Sequence, residues 1–134
     1  MTAGSDDRYT HGHHDSVLAS HRTRTAQDSA AYLLPHLAAG QRLLDVGCGP
    51  GTISVDLAAR VAPGAVVALD REAGVLTEVE RLAIERGAGN LSTACGDVYA
   101  LGFDDDSFDI VHAHQVLQHL MEPVAALAEM RRVT

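Results

Sequence analysis

The chain contains no lysine: its ten fixed positive charges are all arginines, set against 18 acidic residues for a net charge of −8. An acidic chain repels polyanions at long range, which argues against a broad nucleic-acid surface. Cysteine is nearly absent as well. Cys48 and Cys95 are too few for a disulfide framework or a cysteine-only zinc site, and their apolar and glycine-rich surroundings read as buried free thiols. Aromatic residues make up only 4% of the chain. No apolar run approaches the roughly 18–20 residues that a membrane-spanning helix needs. The first nine residues are polar and acidic and lack the basic start and apolar stretch of a secretory signal, so the cytoplasm is the expected compartment.

What is present is the composition of one globular domain: 134 residues, 46% hydrophobic, with 12 glycines. Residues 1–19 read as a flexible arm and residues 20–134 as one folded unit. From Ser20 to Gly40 the apolar residues Ala26, Ala30, Leu33, Leu34 and Leu37 recur at helical spacing, with Pro35 expected to kink or end the helix. Strands and helices then alternate. Strands are expected at Arg42–Gly47, Ala65–Asp70, Leu91–Cys95 and Phe108–His114. Helices are expected at Thr52–Val61, Glu72–Arg86, where Gly87 sits at the C-terminal cap, and Glu122–Val133, with Pro123 in the first turn. Apolar strands separated by helices indicate an α/β fold: a Rossmann-like parallel sheet with helices on both faces and an N-terminal helical cover. With four strands and a closing helix, a further strand is expected to follow Thr134, so the sheet reads as incomplete.

The strongest local signal is Asp45-Val46-Gly47-Cys48-Gly49-Pro50-Gly51, between the first strand and the first helix after it. Ligands of open parallel sheets bind at the carboxyl ends of the strands, where glycines let them approach the backbone. A dinucleotide fingerprint is G-x-G-x-x-G, fitted to a pyrophosphate. Here the spacing is G-x-G-x-G, and Asp45 stands two residues ahead of the first glycine. A carboxylate there repels a pyrophosphate and suits a cation such as an amino-acid amine. S-adenosylmethionine (SAM) has that amine and a sulfonium, and no phosphate. An NAD-dependent oxidoreductase and a non-catalytic SAM-binding domain are the alternatives.

Asp70, at the end of the second strand, suits two roles: accepting hydrogen bonds from ribose hydroxyls, or capping the helix that follows. Asp97 and the Val98 amide suit the edge of an adenine, with Leu101 and Phe103 as an apolar wall, but Gly96-Asp97 also makes an ordinary turn. Asp104-Asp105-Asp106-Ser107 reads as a solvated turn, because it lacks the spaced ligands of a calcium loop. His112 and His114 share one face of the fourth strand, with Gln115 just beyond and His119 one helical turn later. Zinc ligation lacks a matching carboxylate or thiolate, so no metal is expected. His114 remains a candidate general base, or else lines the pocket. His11, His13 and His14 lie in the arm and read as solvated, with a metal site or a lid over the cofactor as the other readings.

On these stretches the sequence resembles class I SAM-dependent methyltransferases, and more narrowly the branch of ubiquinone/menaquinone-type and related bacterial small-molecule methyltransferases. The resemblance covers Arg22 to Thr134. It rests on LLDVGCGPGTIS, ALD, GDVYALGFDDDSFDIV and HAHQVLQHL. It implies SAM as cofactor and methyl transfer to a small-molecule acceptor. It further implies that Asp45, Gly47, Cys48 and Gly49 lie at the methionine end, Asp70 on the ribose, Arg71 beside the adenine, and Asp97 and Val98 at the adenine edge. His114 and Gln115 would lie beside the methionine moiety or the transferable methyl.

Overall fold

The computed structural model describes residues 24–134. The arm and its histidines, and the start of the segment from Ser20, lie outside the described residues. Four parallel strands form one sheet: β1 (Leu43–Val46), β2 (Val66–Asp70), β3 (Leu91–Cys95) and β4 (Ile110–Ala113), in the order β3-β2-β1-β4. β1 is central and buried at every position, its three apolar residues and Asp45 alike. In register, Asp45 lies between Ala68 of β2 and His112 of β4.

Helix α2 (Thr52–Val61) connects β1 to β2, and α3 (Ala73–Arg86) connects β2 to β3. Helix α4 (Pro123–Val133) follows β4 and covers the opposite face. Side chains of a strand alternate between faces. Leu43 and Val66 therefore pack with Ile53, Leu57, Ala58 and Val61 of α2, while Leu44, Val46 and Leu69 pack with Ala126, Met130 and Val133 of α4. The architecture is a Rossmann-like α/β sheet covered on both faces. Gly87 ends α3 at φ +67°, its N–H shared between the carbonyls of Ala83 and Ile84, as a left-handed C-terminal cap should.

The N-terminal cover departs from the continuous helical pattern. Its described part holds one short helix, α1 (Ala26–Ser29). Thr25 and Asp28 close a capping box: the Thr25 hydroxyl accepts from the Asp28 N–H at 3.2 Å, and the Asp28 carboxylate accepts from the Thr25 N–H at 2.8 Å. The chain leaves the helix at Ala30 and resumes as a single 3-10 turn at Leu34–His36, with Pro35 inside it. Pro35 has no N–H to continue a helix, and its ring disfavours a helical residue before it. The apolar spacing still served its purpose, since Ala26, Ala30, Leu33, Leu34 and Leu37 all pack on the α2 side of the core.

Gly51 begins α2 at φ +89°, and a Cβ there would stand 2.9 Å from a methyl of the buried Val79. Gly51→Ala is expected to lower stability by about 1–2 kcal/mol from the backbone conformation alone, before the Val79 contact is counted. Urea unfolding followed by circular dichroism measures it, and an unchanged midpoint would contradict the tight α2–α3 approach.

Candidate functional site

The carboxyl ends of β1, β2 and β3 open into one cavity. It is lined by Val46, Gly47, Leu69, Asp70, Arg71, Gly96, Asp97, Val98, Tyr99, Val116, His119 and Leu120. Of the residues singled out in the sequence, Gly47, Asp70, Arg71, Asp97, Val98 and His119 thus meet around one space. Its walls are mostly aliphatic, with two carboxylates and one guanidinium at the margin.

One carbonyl anchors the start of the glycine turn. The Leu69 oxygen accepts from the N–H of Gly47 at 2.7 Å and of Cys48 at 3.0 Å. Gly47 and Gly49 take φ of +68° and +56°, which a side chain would resist. Asp70 is 3% exposed and braces the same turn. Its Oδ2 accepts from the Gly49 N–H at 3.1 Å and its Oδ1 from the Glu72 N–H at 3.0 Å. Each carboxylate oxygen has a second lone pair, so Asp70 both supports the helix start and faces the cavity. Asp97 Oδ1 accepts from the Tyr99 N–H at 2.9 Å, making a tight turn that aims Val98 and Tyr99 inward.

Asp45, Cys48, Gly49, His114 and Gln115 do not line this cavity. Asp45 is buried on the α2 side of β1. Ser54 of α2 donates to its Oδ2 at 2.6 Å, and His112 Nδ1 lies 3.0 Å from its Oδ1. Burial pushes the Cys48 thiol far up, followed by the nearby charges of Asp70 and Asp45, so it is an unreactive thiol. Cys95, expected to be buried, is exposed because it ends the edge strand β3. His114 and Gln115 follow β4 directly. Burial is the main reason the His114 imidazole titrates below its ordinary range, with Arg24 and His112 adding to it, so the ring is neutral at pH 7. Gln115 is exposed and turns the chain at φ +54°. That turn swings the next residues back, placing Val116, His119 and Leu120 in the cavity wall.

Tyr99, Val116 and Leu120 were not singled out from the sequence, where they look like ordinary apolar positions. Leu101 and Phe103, expected as a wall of the site, belong to the core under α4, where Phe103 meets Phe108 edge to face at 5.0 Å. Among the described residues, no three His, Cys, Asp or Glu side chains come together as a metal ion would require. The acidic turn is tied down by Arg132, which bonds Asp105 at 2.8 Å and Glu129 at 2.8 Å.

Residues 44–134 match the family described as a methyltransferase domain. The chain belongs to that family. Within it, the chain is 41% identical to an uncharacterized methyltransferase of Schizosaccharomyces pombe over 142 residues, covering all of this chain and 51% of that protein. It is 38% identical over 96 residues to a demethylmenaquinone methyltransferase of Geobacillus kaustophilus, covering 71% of this chain and 41% of the relative. Among solved structures, a SAM-dependent methyltransferase from Aquifex aeolicus shares the fold with a TM-score of 0.79 at 21% identity, over 91% of this chain and 68% of that one. The YcgJ protein of Bacillus subtilis superposes with a TM-score of 0.73 at 26% identity, over 80% of this chain and 46% of that one. This methyltransferase domain spans about half the length of the curated relatives it matches in full. No helix among its described residues is long and apolar enough to cross a membrane.

Proposed function

We propose that the cavity at the strand ends binds SAM and that the chain serves the transfer of its methyl group to a small-molecule acceptor. The observation that carries this reading is the chemistry of the cavity. It offers an aliphatic slot between Val46, Leu69, Val98, Val116 and Leu120, with Asp70 at one margin and Asp97 at another. A nucleoside fits such a slot, its base between the aliphatic side chains and its hydroxyls on a carboxylate. The lining offers a pyrophosphate little, since Arg71 is the one fixed cation among its residues and stands against two carboxylates. The relatives' names point the same way, quinone precursors being the acceptors that several of them imply.

When bound, SAM supplies a methyl group on a sulfonium, open to direct displacement by a nucleophilic acceptor. The chain's share of the work is to bind, orient and exclude water. Asp70 holds the ribose hydroxyls. Asp97 Oδ2 and the Val98 N–H address the base edge. Gly47 presents backbone rather than a side chain to the methionine end, and Gly49 holds the turn through its bond to Asp70. Asp45, by contrast, does not line the cavity, and its carboxylate accepts from Ser54 and pairs with His112.

Calorimetric titration of the chain with SAM, S-adenosylhomocysteine and NADH tests the reading. Saturable binding of the first two without NADH is expected. Binding of NADH alone would overturn it.

A further inference from the structure

β3 and β4 stand at opposite edges of the sheet, with β2 and β1 between them. The segments that follow them both wall the cavity: Gly96 to Tyr99 from one edge, and Val116, His119 and Leu120 from the other. These two walls do not share a strand ladder. Their separation is therefore set by bonds made above the strand ends.

One such tie lies away from the cavity. The Leu101 N–H donates to Glu129 Oε1 at 2.9 Å, and Arg132 Nη2 donates to the Leu101 carbonyl at 2.8 Å. Another stands at the cavity wall, where the Glu122 N–H donates to the Tyr99 hydroxyl oxygen at 3.2 Å. Its direction is fixed, because a backbone N–H only donates. Both of its ends are short, stiff pieces of chain. Tyr99 sits in a turn closed by its own N–H on Asp97 Oδ1 at 2.9 Å and by the Ala100 N–H on the Asp97 carbonyl at 3.0 Å. Glu122 follows Leu120 by two residues and caps α4, whose first residue is Pro123. The tie thus sets the Asp97–Val98 edge against Val116 and Leu120.

We propose that Tyr99 is a positioning residue for the nucleoside of the cofactor, an inference that rests on the SAM reading above. Its hydroxyl, through the Glu122 N–H, holds the two walls in place around the bound nucleoside and sets how long the ligand stays. A nucleoside in the slot touches both walls, so its release requires them to part, and the tie opposes that. The empty cavity already stands open with the tie made, so the tie does not limit entry. Tyr99 acts here through the walls it joins and takes no part in the transfer of the methyl group.

Stopped-flow kinetics with S-adenosylhomocysteine and with 5′-methylthioadenosine, which lacks the amino-acid end, compare the parent chain with Tyr99→Phe and Arg132→Met. Tyr99→Phe is expected to release both ligands about fivefold faster, the ordinary worth of one hydrogen bond, with association unchanged. Arg132→Met breaks the tie away from the cavity. It is expected to lower the melting temperature and leave both release rates at the parent value. Unchanged release from Tyr99→Phe, an effect confined to S-adenosylhomocysteine, or equal acceleration in Arg132→Met would overturn the proposal. Amide hydrogen exchange at Glu122 reads the tie without any ligand. Faster exchange in Tyr99→Phe is expected, and equal exchange in the two proteins would overturn the tie. Failure of the parent to bind either ligand would overturn the SAM reading instead, and the exchange rates would still decide whether the tie is made.

Discussion

Asp70→Ala is expected to weaken SAM binding by about 1.5–3 kcal/mol, the usual worth of a charge-assisted hydrogen bond whose partner is deleted. That is roughly a 10- to 150-fold rise in Kd. Two effects add. On the proposed reading the ribose hydroxyls lose their acceptor, and the N–H groups of Gly49 and Glu72 lose the carboxylate that braces the turn. Asp70→Asn separates them, because its amide oxygen still accepts one of these bonds while the charge is gone. Calorimetry on all three proteins measures the ladder. An alanine variant that binds as tightly as the parent would remove Asp70 from the site.

Asp45→Ala is expected to have the larger effect on stability, about 3–5 kcal/mol, the cost of leaving two buried donors without their shared acceptor at roughly 1–3 kcal/mol each. His112 Nδ1 and the Ser54 hydroxyl would both stay buried without the acceptor they now share. For a domain of this size the melting temperature should fall by more than roughly 10 °C. Asp45→Asn keeps an acceptor for Ser54 and should fall between the two. Thermal melts followed by circular dichroism give the result, and a melting point within about 2 °C of the parent would show that the carboxylate is not held as tightly as its distances indicate.

The strand and helix order was legible because each element carries its own local signal: mostly apolar runs for β1 and β2, Gly87 after α3, Pro123 at the start of α4. The glycine turn was legible because positive φ at Gly47, Gly49 and Gly51 demands a residue without a side chain. Expectation and structure part where a residue's role is set by distant partners. Asp45 looked like a ligand group, yet its bonds go to Ser54, nine residues on, and His112, 67 residues on. Leu101 and Phe103 looked like pocket wall, but α4 claims them for the core. Tyr99 and Leu120 reach the cavity only because two turns, at Asp97 and Gln115, aim them there. The N-terminal cover misled for a local reason: its periodicity marks a buried face, and periodicity does not show that the helix stops at Ala30, well before Pro35.

The double acceptance at the Leu69 carbonyl bears on the kinetics of binding. A loop already clamped by its neighbouring strand has no ordering entropy left to lose when a ligand arrives. Association should then follow a single bimolecular phase, its rate linear in ligand concentration, with no slower unimolecular step limiting it at saturation. Differences in affinity among adenosyl ligands would arise almost entirely in how fast each one leaves.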